Sequence, residues 1–320
     1  MENSLTKKNT QALSGWKKDV IKTAKDVIAH WQLWVLVLPA VVFMIIFVYK
    51  PMYGAQIAFR DFNFRGGLTN SPWVGFQNFV DLFNNYWFPI IIKNTLSLSV
   101  LSLVLSFPMP ILLALMANEI GNENVKRTFQ TISYAPHFIS TIVMCGMIIM
   151  FLSPSTGVVN KALNVLGFES VFFMQAEGAF KWVYVLSGIW QGTGWGAVIY
   201  FAALSGVDKS LLEAAEIDGA SRLQKIVYIN FPVLVPTIVV LFIMNCGSLL
   251  NVGYEKTFAL QNAANLNESE IISTYVYKIG LINKDFSFST ATNLFNSVVN
   301  SIILISANQL SKAVTKNSLW

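Results

Sequence analysis

The stretch from Glu213 to Pro232 reads EAAEIDGASRLQKIVYINFP, and it stands between two long apolar runs. It is charged, amphipathic and punctuated by one glycine, and it parses as helix, turn, helix. Ser210 with Glu213, and Ser221 with Gln224, have the spacing of capping boxes. Gly219 sits where the first helix must stop, and glycine tolerates the left-handed backbone of such a stop. In the second helix Leu223, Ile226, Val227 and Asn230 share one face. Phe231 precedes a proline and is expected outside helical geometry, so that Pro232 restarts the chain as the next apolar helix. Helices this short are unstable alone in water. They must pack on the ends of their own bundle or on a partner.

The rest of the chain sets the surroundings. Of 320 residues, 54% are hydrophobic and only 12% charged, with mean hydropathy +0.53. A soluble domain carries about twice that charged fraction. A bilayer core about 30 Å thick needs about 20 apolar helical residues. Six runs meet this: Trp31 to Tyr49, Thr95 to Ala117, Thr131 to Leu152, Trp182 to Leu204, Val233 to Val252 and Ser289 to Leu310. The expected fold class is therefore all-α integral membrane, with six transmembrane helices in one domain over residues 31–310. Residues 1–30 form an amphipathic N-terminal segment, residues 205–232 the loop quoted above, and residues 311–320 a tail. No small-residue cleavage site follows the first run, which reads as a retained span. The last run carries Asn293, Asn296, Asn300 and Asn308, and is expected to face protein or a water-filled path more than lipid.

Lysine and arginine set the orientation. Lys7, Lys8, Lys17, Lys18, Lys22 and Lys25 precede the first run. With an even number of spans, Lys126, Arg127, Lys209, Arg222, Lys225, Lys312 and Lys316 share their side. Both termini and the loop 205–232 are then cytoplasmic. Trp16, Val20, Ala24, Val27, Ile28 and Trp31 recur at helical spacing with lysines opposite, which suits a helix lying on an anionic leaflet. On the outer side, VGFQNFVDLF (Val74 to Phe83) places Phe76, Phe79, Val80 and Phe83 on one face, to rest on the interface or on the bundle.

The chemistry that is missing narrows the function. There is no G-x-x-x-x-G-K-[ST] loop, no H-E-x-x-H, no G-x-S-x-G and no metal-ligand cluster. QGTGWG (Gln191 to Gly196) lies within an apolar run without a preceding strand, so its glycines are read as permitting close helix approach. Cys145 and Cys246 read as small packing residues. His137, beside Pro136, reads as a partner for a backbone carbonyl freed by that proline. The spans hold almost no ionisable residue; Lys93 and Lys181 fall at ends, where their stems can snorkel. Ion-coupled carriers usually need such a residue, so energy must enter elsewhere. The stretch Glu213 to Pro232 has only Arg222 and Lys225 as cations and is pinned at both ends, which argues against nucleic acid as a partner.

Glu213-Ala214-Ala215, Asp218-Gly219-Ala220, Ile229 and Pro232 resemble the EAA signature of ABC-importer permeases, although Phe231 stands where leucine is common. The flanking WQGTGWGAVIYFAALSGVDKSLLEAA resembles the carbohydrate-uptake branch, as do LPAVVFMIIFVYKPMYGAQIAFRDF and WVGFQNF. The likeness covers nearly the whole chain and is nearest the branch that imports oligosaccharides and polysaccharide fragments. It implies the type I importer permease fold, with the loop as a coupling helix docked on a cytoplasmic ATPase dimer. Glu213, Ala214, Ala215, Asp218, Gly219 and Ala220 would make that contact. Glu213 would pair with a basic group of the ATPase.

The resemblance also implies a sugar path beside the loop. Counted from Glu213, the positions that match those holding sugar in the maltose permease are Gly188, Gln191, Gly192 and Trp195 before it. After it they are Asn245, Ser248 and Leu249. Amides bond sugar hydroxyls and indoles stack on the apolar faces of sugar rings. On this reading the chain is no enzyme and holds no cofactor or metal, ATP and magnesium being bound by the partner ATPase. A second homologous permease, an extracellular sugar-binding protein, an oligosaccharide substrate and the bacterial cell membrane complete the expected partners. The alternative is an ion- or proton-coupled secondary sugar carrier.

Overall fold

A computed structural model describes residues 29–315 and 318–319. The surface helix expected from Trp16 onward, and the lysine cluster behind it, lie outside the described residues. Among the described residues the regular elements are all helices, apart from one isolated antiparallel bridge between Arg60 and Trp73. It separates into two units, residues 1–56 and 57–320.

The first unit holds helix α1 (Trp31–Met44), which contains Pro39 and continues through a π turn at Ile45–Tyr49. In an apolar medium every other backbone group must find its bond within the segment, and an uninterrupted helix does this. The apolar helix runs from Trp31 to Phe59, 29 residues, and is long enough to cross a membrane.

In the second unit, α2 (Gln77–Phe83) follows a small aromatic cluster. Phe59 lies 5.6 Å from Trp73, 5.4 Å from Phe76 and 5.4 Å from Phe79, ring centre to ring centre. Phe83 packs edge-on against Phe88 and Phe295. Of the expected apolar face, Phe83 reaches the bundle, while Phe76 and Val80 stay largely exposed. Helices α3 (Trp87–Ser106) and α4 (Pro108–Asn118) make a continuous apolar helix of 32 residues.

The run expected as one span over Thr131 to Leu152 is broken. Helix α5 (Glu123–Tyr134), extended by a 3-10 turn at Ala135–Phe138, meets α6 (Thr141–Phe151) at 94°. Pro136 lies in the 3-10 turn, and Ile139 and Ser140 are extended. The Ser140 hydroxyl then caps the new helix by accepting from the Val143 N–H.

Helix α7 (Ala179–Leu204, 26 residues) occupies the run expected as the fourth span, but it is not among the helices long and apolar enough to cross a membrane. Its long-range fit depends on small residues. A Cβ on Gly194 would collide with the Ser133 carbonyl of α5, and one on Gly196 would come within 2.9 Å of Pro110 on α4. This is the close helix approach read from QGTGWG. The buried residues Ile111, Ala114, Leu115, Ala197, Tyr200, Leu204 and Leu234 form the core shared by α4, α7 and the helix after the loop.

That helix departs from expectation at its start. Helix α8 (Lys209–Ile217) is followed by α9 (Arg222–Lys225), a π turn at Ile226–Asn230 and α10 (Phe231–Gly247). Phe231 is fully helical, at φ −64° and ψ −45°, so the chain does not stop and restart at Pro232. The wider π turn accommodates the missing N–H and the bulk of the proline ring. One helix runs from Arg222 to Gly247.

After α10, the short helices α11 (Tyr254–Leu260) and α12 (Ile272–Tyr277) precede α13 (Phe286–Thr315). Of the asparagines of α13, Asn300 and Asn308 are buried, Asn296 is half-buried and Asn293 is exposed. Asn300 is 6% exposed, accepts from the Leu250 N–H at 3.0 Å and, with Asn296, donates to Asn251. Cys145 and Cys246 are buried free thiols. Among the described residues four helices are long and apolar enough to cross a membrane. The bent pair α5 and α6 makes a fifth if it crosses as one.

Candidate functional site

Two features meet at α7 and α10, a surface hairpin and a cavity. In the hairpin, the Asp208 side chain caps α8 by accepting from the Ser210 N–H at 2.9 Å. The cap is therefore Asp208, and not Ser210 paired with Glu213. That bond holds the Asp208 carboxyl below its usual range. Gly219 takes φ +77°, the Gly219 N–H donates to Glu216 O and the Ala220 N–H to Ala215 O. These two bonds are the Schellman stop that glycine permits. Ser221 and Gln224 form the expected capping box.

The Lys225 ammonium then donates to Glu216 at 2.6 Å, tying the two short helices together and holding the Glu216 carboxyl below its usual range. Glu213, Ala214, Asp218 and Gly219 are exposed, and Ala215 and Ala220 half-buried. Ile217, at 88% exposure, is among the most exposed large apolar side chains described. Asn230, buried at the far end of the π turn, donates to Glu119 at 3.4 Å, so the hairpin is bonded to the end of α4.

The cavity has a volume of about 810 Å³ and is walled by α3, α4, α7, α10 and the residues just after α10. Trp195, Asn245, Ser248 and Leu249 line it together. Gln191 and the two glycines before Trp195 do not. Gln191 donates to Ile139 O at 2.9 Å and so secures the break between α5 and α6. Gly188 is covered by the Lys256 ammonium, 3.1 Å from where a Cβ would sit, and Gly192 lies exposed on another face. His137, expected to serve a backbone carbonyl, lies instead flat against the indole of Trp195.

With this geometry described, the comparison with known proteins is direct. Residues 106–315 match the family described as "Binding-protein-dependent transport system inner membrane component". The chain belongs to that family. It is a multi-pass membrane permease of the ABC importer type and not an enzyme. Protein LplB of Bacillus subtilis (strain 168) is 38% identical over 288 residues, 90% of this permease and 91% of LplB. The polygalacturonan/rhamnogalacturonan transport system permease protein YteP of the same organism is 38% identical, covering 90% of each chain. A chain from the crystal structure of a bacterial ABC transporter involved in the import of the acidic polysaccharide alginate is 41% identical. It superposes with a TM-score of 0.85 over 92% of this permease and 99% of that chain. The all-α type I permease fold follows from these matches.

Several cavity residues of the permease escaped the sequence reading. Ser99, Ser102 and Ser106 line the cavity from α3, and Tyr184, Asn251 and Gly253 line its other wall. The serines recur along one helical face of an otherwise apolar run, a signal that would have found them. Asn251 lies in the turn after α10 and had no periodicity to mark it.

Proposed function

We propose that this permease carries oligosaccharides or polysaccharide fragments into a bacterial cell, and that the cavity beside Trp195 and Asn245 is its half of the path. The observation that carries this reading is the cavity wall, which offers an indole, amides and serine hydroxyls and no carboxylate or ammonium. That set suits sugars, whose hydroxyls take hydrogen bonds and whose apolar ring faces stack on aromatic rings. The cargoes named for two relatives, polygalacturonan and alginate, support the same class.

The permease works as a six-span subunit with both termini and the loop 205–232 in the cytoplasm, paired with a second, homologous permease. An extracellular binding protein delivers the sugar; the alginate transporter has been crystallised in complex with a pentasaccharide-bound periplasmic protein. Residues Glu213 to Ala220 dock on an ATPase dimer that holds ATP and magnesium. Exposed Glu213 offers a carboxylate to a basic group there, and Ala214 lets the surfaces approach closely. Closure of the ATPase pulls on α8. The Glu216–Lys225 pair passes the displacement to α9, which is one rigid helix with α10 and its cavity residues Asn245 and Ser248.

The test is uptake of labelled oligosaccharides by cells carrying the intact importer. Trp195→Ala combined with Asn245→Ala lowers uptake at unchanged membrane level of the permease. Undiminished uptake by the double variant would remove the cavity from the path.

A further inference from the structure

The cavity wall itself carries no ammonium or carboxylate, yet one charge lies directly behind it. Lys256, on α11, is 9% exposed. Its ammonium donates to Tyr184 O at 2.6 Å and sits 4.4 Å from the centre of the Tyr184 ring. Tyr184 lines the cavity, and so does Gly253, where a Cβ would lie 3.1 Å from the tyrosine hydroxyl. One aromatic ring therefore separates the cation from the cavity. Among the described residues the ion pairs are Lys225 with Glu216 and Lys278 with Glu270, so Lys256 has no carboxylate partner.

Burying an ammonium without a counter-charge is costly, and a carbonyl and a ring face recover only part of the loss. Lys278 shows the ordinary solution in the same outer segment, a carboxylate at 2.5 Å. Lys256 lacks that solution and stands against the one open space in its surroundings that is lined with sugar-binding groups. A fixed charge behind a low-dielectric wall focuses its field into the space in front of it.

We infer that Lys256, acting through Tyr184, makes the outer end of this cavity a subsite for an anionic sugar, a uronate-type carboxylate on the oligosaccharide supplying the missing counter-charge. The inference rests on the sugar-import reading and adds the charge of the cargo to it. Lys256 is a specificity residue that does not touch the sugar.

Burial pushes the Lys256 ammonium down to about 8. Desolvation disfavours the charged form, so the charge is present below that pH and lost as pH rises through it. The elements packed against α11 carry Cys145 on α6 and Tyr275 and Tyr277 on α12; Tyr184 of α7 bonds Lys256, and Tyr254 and Glu255 stand on α11 itself. Among the described residues no carboxylate pairs with Lys256.

The test compares uptake of an oligogalacturonate with its carboxyl-reduced, neutral counterpart of equal length, by cells carrying the complete importer. The readout is the acidic-to-neutral ratio. It is expected to fall about tenfold in Lys256→Met and to be kept in Lys256→Arg, with membrane levels checked by immunoblot. Should the methionine variant fail to reach the membrane, the wild-type ratio at pH 7 and pH 9 decides, and it is expected to fall. An equal loss of both sugars in the variant, or a ratio unchanged across that pH range, overturns the inference while sugar import stands. Uptake of neither sugar by the wild type overturns the import reading and the inference with it.

Discussion

The imidazole of His137 lies flat on the indole of Trp195, with ring centres 4.7 Å apart and planes 1° from parallel. His137 sits in the 3-10 turn where α5 gives way to α6, and Trp195 projects from α7 into the cavity. The break in the bent helix thereby fixes the side chain best suited to stack on a sugar. Such a ring pair contributes about 0.5–1.5 kcal/mol beyond its buried area. His137→Ala is expected to weaken the apparent affinity for transported sugar by about twofold to tenfold. His137→Phe, which keeps a flat partner, restores it. Concentration-dependent uptake by the two variants checks this, and equal affinity in the alanine variant would show the stack to be idle.

Glu213 is exposed on α8 and its carboxylate bonds no other described residue, so its replacement costs the fold little. Glu213→Lys is expected to leave the amount of permease in the membrane unchanged while abolishing sugar-stimulated ATP hydrolysis and uptake. Reversing the charge places two cations opposite each other at the proposed ATPase contact, and like charges across an interface are strongly disfavoured. Full transport by this variant in proteoliposomes would sink the coupling assignment.

Glycines of the same motif should answer differently to the same change. Gly194→Ala drives a methyl into the Ser133 carbonyl, which belongs to helix backbone and cannot swing aside. Overpacking of this kind costs about 1–3 kcal/mol. At Gly192 nothing lies within 4 Å, so alanine is expected to be neutral or to gain a little from helix propensity. Thermal inactivation of the purified permease in detergent should separate the two, with only the position-194 variant less stable.

What the sequence made legible is local or periodic. Gly219 and the Ser221–Gln224 box could be read because their bonds close within a few residues. Asn300 and Asn308 of α13 could be read because amides are costly in lipid. The break at Ile139 was not legible. The segment before Pro136 is amphipathic and the one after it apolar, and only packing against Gln191 and Trp195 shows where the helix turns. Pro232 misled for the opposite reason, since a π turn lets a helix pass a proline that local rules treat as a stop. In the site, Trp195, Asn245, Ser248 and Leu249, expected from the family resemblance, line one cavity, whereas Gly188, Gln191 and Gly192 do not. Lys256 meets Tyr184 across 72 residues of chain, and no local pattern announces that contact.

The other buried lysine-bearing network makes the last prediction. Glu270 is 3% exposed and lies between α11 and α12, where it accepts from Lys278 at 2.5 Å and from the Thr274 hydroxyl at 2.8 Å. Gln261 accepts from the same ammonium at 2.6 Å, and Asn94 of α3 donates to the Glu270 carbonyl at 3.0 Å. The carboxylate thus ties the segment between α10 and α13 together internally, and the Glu270 main-chain carbonyl bonds that segment to α3. Removing one member of a buried pair strands the other, at a cost of about 3–5 kcal/mol when both are fully buried. Here the lysine side chain is 29% exposed, and water can solvate it if it is left alone. Glu270→Ala should therefore destabilise by less than that range. Lys278→Ala should do at least as much damage, because it leaves the deeper charge without a partner. Denaturation of the purified permease checks the order, and a Glu270 variant markedly less stable than the Lys278 variant would contradict it.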